Sequence, residues 1–349
     1  MKPFTSDSIV LAIESSCDET SAAVYEGATL KSNIISSQLV HTDFGGIVPE
    51  LASRAHIQNI APVVQAALRD AGLGMRAIAA IAVTQQPGLA GSLTVGANFA
   101  KGLAVRYGLP IVPVNHIEGH IFSAFIENED IHFPFLALVV SGGHTSLFLV
   151  ESFEQYSVIG STRDDAAGEA FDKIAKLLGL GYPGGIQVDT LAREGNPKAI
   201  AFPRGMMRED HFDFSFSGLK TAVRLYVQEA LRQNVVLSPE AVRDICASAQ
   251  EAIAEVLVHK TMKAVQRFGV RDIVVAGGVA ANSRLRSLLS EQAARHNVHV
   301  FIPSMKFCTD NAAMIGCIGR EKLLRNPLHS YDALTFRVGS NALRAKYRP

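Results

Sequence analysis

Short unbroken apolar runs alternate along the chain with longer segments whose apolar residues recur every three to four positions. Two stretches are built alike. The apolar run at 9–13 leads into the polar turn Glu14-Ser-Ser-Cys-Asp-Glu-Thr20 and then into a second run at 22–25. The apolar run at 135–140 leads into Ser141-Gly-Gly-His-Thr145 and then into a run at 147–150. Each reads as strand, small polar turn, strand, because a short apolar run bounded by turn residues fits a strand buried on both faces. Further short strands are expected at 78–83, 111–114 and 273–276, with helical patterns over 57–71 and 241–268. The second helix has a start signal in Ser238-Pro-Glu240: Ser can cap the free N–H groups of the first turn, and Pro has no N–H to satisfy there. The Pro/Gly-rich stretches at 181–185 and 195–205 are expected to be loops. Strands alternating with helices predict an α/β protein. The two like stretches predict a duplication, with two α/β domains that each open on a hairpin.

Length agrees with that reading, since 349 residues suggest two domains at roughly 150 residues each. With 48% hydrophobic and 19% charged residues, the chain is neither disordered nor fibrous. Cys17, Cys246, Cys308 and Cys317 are scattered without a C-x-x-C pair, which argues against a disulfide framework or a Cys-rich zinc site and fits a reducing compartment. No apolar run reaches the eighteen or so residues of a membrane span, and the first apolar run is too short for a signal-peptide core, so a cytoplasmic location without membrane contact is expected. Lys+Arg and Asp+Glu are 33 each, which does not describe a strongly basic nucleic-acid binder. The balance is uneven, however. Residues 320–349 hold seven Lys and Arg against Glu321 and Asp332, either a solvated tail or a patch for phosphates or a partner.

Candidate chemistry begins at His116-Ile-Glu-Gly-His120, directly after the expected strand at 111–114. If a helix starts there, residues four apart share one face and both imidazoles can reach one ion; the alternative is a pair of surface or core histidines. Metalloproteases of the H-E-x-x-H type place Glu beside the first His. Glu118 lies two positions on, at about 100° per residue, on the far side of the helix. The spacing therefore supports a metal and argues against a protease.

Two glycine-rich turns follow strands: Ser141-Gly-Gly-His-Thr145 and Gly277-Gly-Val-Ala-Ala-Asn282. Glycine permits close backbone approach, and successive N–H groups can hold an anion. Neither turn fits the dinucleotide fingerprint or the P-loop. Together with the acidic turn at 14–20 they form the layout of the actin, Hsp70 and sugar-kinase group, in which two hairpin turns grip phosphate and a Gly-Gly loop holds adenosine. Asp172 and Asp189 flank Gly181-Tyr-Pro-Gly-Gly185 and could accept hydrogen bonds from ribose hydroxyls, or could be ordinary helix-surface acids.

The motifs Ala12-Ile-Glu-Ser-Ser-Cys-Asp-Glu-Thr20, Asn115-His-Ile-Glu-Gly-His120, Val140-Ser-Gly-Gly-His-Thr145, 164–173, Tyr182-Pro-Gly-Gly185, Phe214-Ser-Phe-Ser-Gly-Leu-Lys220 and Gly277-Gly-Val-Ala-Ala-Asn282 occur in that order. In this the chain resembles the bacterial TsaD family, formerly called Gcp or O-sialoglycoprotein endopeptidase, from about residue 8 to about 345. The resemblance implies two duplicated actin-like (RNase H-like) domains with a cleft between them. The first would be 1–115, completed by 312–349. The second, 116–311, would carry the metal and nucleotide site. It implies an acyltransferase that moves the threonylcarbamoyl group from threonylcarbamoyl-AMP to N6 of adenosine 37 in tRNAs reading codons that begin with A, releasing AMP. One metal, generally iron with zinc as the alternative, would be held by His116, His120 and Asp310. Substrate would lie against Val139, Val140, Ser141, Gly142, Gly143, Asp172, Gly185, Asp189 and Asn282. TsaB and TsaE would be partner subunits, and TsaC would supply the intermediate.

An aromatic amine is a weak nucleophile, so the chemistry needs a polarised carbonyl, a held AMP and an oriented base. Gly142 and Gly143 would offer N–H groups to phosphate. Glu14 and Asp18 lie at the first turn, and Glu14 is the carboxylate expected to take the amine proton. The tRNA would draw on the basic residues Arg320, Lys322, Arg325, Arg344, Lys346 and Arg348. Three rival readings exist: an ATP-dependent kinase or ATPase of the same fold, a metalloprotease, and a non-catalytic nucleotide-binding scaffold. The first is weakened by Glu14-Ser-Ser-Cys17 where an Asp-x-Gly-Thr turn would stand, the second by the position of Glu118.

Overall fold

A computed structural model describes residues 4–38, 46–233, 236–326 and 334–340. The chain divides into two compact units, one of Met1–Glu129 with Pro303–Leu343 and one built on Asp130–Ile302.

In the first unit, β1 (Ile9–Glu14), β2 (Glu19–Glu26) and β3 (Thr29–Ser37) form an antiparallel meander. Then β4 (Ala80–Gln86) and β5 (Ile111–Asn115) add in parallel, giving the order β3-β2-β1-β4-β5. Helices α1 (Pro49–Asp70) and α2 (Ala90–Tyr107) cover one face. Leu11, Ile13, Ile81 and Val83 pack there against Ile60, Val64, Ala100 and Ala104. The alternate residues Ala12 and Ala82 face α10 (Ala312–Arg325), where only small side chains fit: a Cβ on Gly319 would stand 2.5 Å from that of Ala82, and one on Gly316 2.6 Å from the Tyr25 ring. Both faces of β1 are thus buried, which explains its unbroken apolar run.

The second unit repeats the plan. A meander of β6 (Phe135–Val140), β7 (Thr145–Val150) and β8 (Tyr156–Ser161) is followed by parallel β9 (Asp272–Ala276) and β10 (His299–Phe301), in the order β10-β9-β6-β7-β8. Between β8 and β9 come α4 (Ala167–Leu177), α5 (Gly184–Ala192), α6 (Ser217–Arg232) and the 30-residue α7 (Pro239–Phe268). The helix α8 (Ser283–Arg295) joins β9 to β10. The expected duplication is therefore present in strand order and direction, with each hairpin extended by a third strand that the apolar pattern did not announce. As expected, Ser238 caps α7, accepting from the N–H of Ala241 at 3.1 Å.

The division between units differs from the expected one. It falls after Glu129 and again before Pro303, rather than after Asn115 and Asn311. The reason is packing: α3 (His116–Phe122) lies on α10, where Gly119 brings Met314 and Ile315 within 3.0 Å of a would-be Cβ. Both histidines and Asp310 consequently belong to the first unit. Among the described residues no helix is long and apolar enough to cross a membrane.

Candidate metal centre and nucleotide-binding turns

The helix α3 starts immediately where β5 ends. Asn115 caps it, its Oδ1 accepting from the N–H groups of Ile117 at 2.8 Å and Glu118 at 3.4 Å, while Glu118 reaches back to the N–H of Asn115. This capping box holds the first turn rigid. His116 and His120 emerge on one face as the spacing predicted, both buried, with ring centroids 4.7 Å apart at 86°. Glu118 points away from them into an ion pair with Lys322 of α10. Its carboxylate is spent on the cap and that pair, so it does not serve as a protease base.

Asp310 follows α9 (Met305–Cys308), in the link to α10. Its neighbour Asn311 caps α10 by accepting from the N–H of Met314 at 3.0 Å. One oxygen, Oδ1, stands 3.4 Å from His116 Nε2 and 3.2 Å from His120 Nε2. Among the described residues these three form the one group of His, Cys, Asp or Glu with ligand atoms close enough to share an ion, all within 4.8 Å of one another. Two imidazoles and a carboxylate suit a divalent transition metal.

The charges of this cluster act directly on one another. Burial works to lower the His116 pKa, but Asp310 and Glu14 outweigh it and hold the imidazole well above its ordinary value. Burial likewise works to raise Asp310 and Glu14. His116 reverses both, leaving Asp310 well below the usual carboxylate range and Glu14 below its ordinary value.

The first turn lies against this cluster. Glu14, at the end of β1, is fully buried. Its Oε1 accepts from the N–H of Ser16 and its Oε2 from the hydroxyl of Thr84, with His116 Nδ1 3.2 Å from Oε2. His56 of α1 clamps the same turn, 2.9 Å from the Cys17 carbonyl and 2.7 Å from the Thr20 hydroxyl. Asp18 is half-buried and hydrogen-bonded to Glu19, whose carboxyl burial, Asp310 and Asp18 push up to about 10. Thr84 and His56 escaped the sequence reading, because their contacts with the turn span 36 to 70 residues and no local spacing marks them.

The second unit carries the other expected residues. Val139 and Val140 are fully buried in β6. The turn after them is closed by Ser141 N–H to the His144 carbonyl at 2.7 Å. Gly142 and Gly143 are exposed at its tip, with open space where a Cβ would stand. The start of α4 is tucked beneath: a Cβ on Gly168 would come within 2.6 Å of the Ser141 carbonyl. The β9 turn crosses the same strand end, with Gly277 at φ +90° and 2.4 Å left between a would-be Cβ and the Val140 carbonyl. Only glycine tolerates that conformation and approach together.

Asp172 of α4 accepts from the N–H of Gly184 at 2.8 Å and is also bonded by the Gly185 amide. Burial raises its carboxyl, and those two amides partly offset the rise. Asp189 of α5 accepts from the N–H and hydroxyl of Ser283 at 2.9 and 2.6 Å, and from Arg193 at 2.8 Å. Asn282 caps α8 through Leu285 N–H at 3.0 Å and donates to Gln250 at 2.7 Å. The polar side chains expected at the nucleotide thus already organise helix starts around the turns.

The described part of the expected basic patch is partly neutralised, with Arg337 of the 320–349 stretch exposed. Arg320 and Arg325 pair with Glu321, and Lys322 pairs with Glu118. Arg344, Lys346 and Arg348 lie outside the described residues.

Residues 29–317 match the TsaD family, tRNA N6-adenosine threonylcarbamoyltransferase. This chain belongs to the TsaD family. The tRNA N6-adenosine threonylcarbamoyltransferase of Geotalea uraniireducens is 52% identical over 326 residues, covering 93% of this chain and 94% of that protein. Solved structures with the same fold include full-length HypF in its phosphate- and nucleotide-bound form (TM-score 0.60, 14% identity, 90% of this chain and 46% of that one). Another is component A of the (R)-2-hydroxyglutaryl-CoA dehydratase of Acidaminococcus fermentans (TM-score 0.53, 16% identity, 90% and 99%). These are actin-like ATPase-fold proteins, and the paired five-stranded sheets place the TsaD chain among them.

Proposed function

We propose that this chain transfers the threonylcarbamoyl group from threonylcarbamoyl-AMP to N6 of adenosine 37 in tRNAs reading codons that begin with A. A carbon–nitrogen bond forms at the carbamoyl carbonyl, the bond to the phosphate oxygen breaks, AMP leaves with the electron pair, and N6 gives up a proton. The observation that carries the reading is the convergence of His116, His120 and Asp310 in a chain half identical to named transferases. Those three residues would hold one divalent ion, Fe(II) or alternatively Zn(II), and the two-imidazole, one-carboxylate donor set fits either. When bound, the ion supplies Lewis acidity toward carbonyl or phosphate oxygens.

The chain's own groups supply the rest. The N–H groups at Gly142 and Gly143 offer donors to phosphate at an exposed turn. Val139 and Val140 support this turn from β6, and Ser141 opens it. Asp172, Gly185, Asp189 and Asn282 line the adenosine and ribose side, held in place by the helix-start bonds described above. Of the two first-turn carboxylates, Asp18 is the more open to solvent and is the better placed to take the amine proton.

Mass spectrometry of tRNA nucleosides tests the reading. Chain, TsaB, TsaE, TsaC, ATP, threonine and bicarbonate are incubated with unmodified tRNA. A threonylcarbamoyl mass gain on adenosine 37 is expected, and its absence removes the reading. Asp310→Asn and His120→Ala are expected to lose both bound metal and the mass gain. Transfer at the normal rate by a metal-free variant would refute the role of the cluster.

A further inference from the structure

Two nitrogens of His116 point at two different carboxylates. Nε2 faces Asp310, and Nδ1 lies 3.2 Å from Glu14 Oε2. Glu14 is fully buried and cannot turn away, because Ser16 N–H holds one oxygen and the Thr84 hydroxyl the other. His120 lacks a matching arrangement: its Nδ1 is buried without a hydrogen-bond partner. Only one of the two imidazoles is therefore oriented from behind by a carboxylate. Such a carboxylate fixes which nitrogen carries the proton, and it makes the opposite nitrogen a stronger donor to a metal.

We propose that Glu14 is a positioning residue that keeps the proton on His116 Nδ1, leaving Nε2 free to bind the ion beside His120 and Asp310. The inference rests on the metal reading above and assigns Glu14 a different task from base toward the adenine amine. Both of its oxygens face protein donors, so a substrate amine would have to displace one of them. The hydroxyl of Ser16, 3.1 Å from the same Nδ1, is the competing partner. Ser16 lacks a negative charge, so it would set the tautomer without raising donor strength.

Co²⁺ binding to the purified full chain, measured by competition with a chromophoric chelator, separates these possibilities. Glu14→Gln keeps the size and an acceptor but removes the charge. It is expected to weaken Co²⁺ about 10- to 100-fold, the range for loss of such a partner, and to shift the visible Co²⁺ spectrum in a protein that circular dichroism shows to be folded. Ser16→Ala is expected to leave affinity within about threefold of wild type. A folded Glu14→Gln protein with wild-type Co²⁺ affinity overturns the proposal, as does a large loss confined to Ser16→Ala. Should Glu14→Gln fail to fold, two further measurements decide. Thr84→Val frees one Glu14 oxygen and is expected to weaken Co²⁺ several-fold; unchanged affinity there counts as refutation. Nitrogen-15 spectra of the zinc-loaded wild type should show His116 protonated at Nδ1, and a proton on Nε2 refutes the proposal. A wild-type chain that binds no divalent ion removes the metal reading and this inference together. Transfer activity is not needed for any of these readouts, so failure of the transferase assay stays a separate result.

Discussion

At the residue scale, His116 is the hinge of the chemistry. Asp310 and Glu14 hold its pKa well above the ordinary value, so an ion arriving at Nε2 competes with a proton there. Titration calorimetry near pH 7 in buffers of different ionisation enthalpy should show about one proton released per ion bound, and apparent affinity should fall as pH is lowered. The same cluster makes metal-free stability depend on pH. His116 has a raised folded value, so its contribution is full below its unfolded value of about 6.5 and is lost as pH rises through the folded value. Asp310 and Glu14 have depressed values, so their share is present above about 4 and is lost as pH falls through their folded values. Thermal unfolding of the metal-free chain should therefore show greatest benefit from this network at mildly acid pH. A stability that rises steadily from pH 6 to pH 9 would contradict the assignment.

At the element scale, helix starts do much of the positioning. The helix α6 illustrates it: Asp164 accepts from the N–H of Phe216 at 2.8 Å and of Ser217 at 3.2 Å, and from the hydroxyls of Ser215 and Ser217. Burial works to raise this carboxyl, but those donors bring it below its ordinary value. A carboxylate 53 residues upstream thus caps a helix whose own flanking residue, Phe216, has no capping side chain. Asp164→Ala should cost about 1 kcal/mol of unfolding free energy, the usual worth of a cap, and urea denaturation would measure it. The packing of α3 on α10 works in the same way. Lys322→Glu would set two carboxylates together at Glu118, and it should lower both melting temperature and metal affinity while leaving the salt dependence of tRNA binding unchanged.

At the scale of the whole molecule, charge separates folding from RNA binding. The chain is neutral, and Arg320, Lys322 and Arg325 already answer acidic partners within the first unit. If the C-terminal cations serve tRNA, the contribution comes from Arg344, Lys346 and Arg348 together with the exposed Arg337. Replacing those four with Glu should weaken tRNA binding at low salt and flatten the salt slope by about 0.7 to 0.9 for each phosphate the chain no longer neutralises. An unchanged slope would assign the RNA surface to partner subunits. The fold itself follows from repetition of one plan, in which a meander and two parallel strands place a polar turn at the end of each central strand.

Local order was legible in the sequence wherever the deciding interactions are local. Apolar runs marked β1, β6 and β9, because strands covered on both faces need no polar positions. His116 and His120 were legible as a pair, because helical spacing alone puts them on one face. The reach of Glu118 away from them followed from the same geometry. What tertiary structure decided are the relations that cross the chain. Gly119 lets α3 close on α10, and that packing moves the domain boundary past the histidines. The convergence of Asp310 on both imidazoles, like the burial of Glu14 behind one of them, depends on segments 100 to 200 residues apart. Periodicity carries no record of such distances, since it reports which face a residue lies on and not what is packed against it.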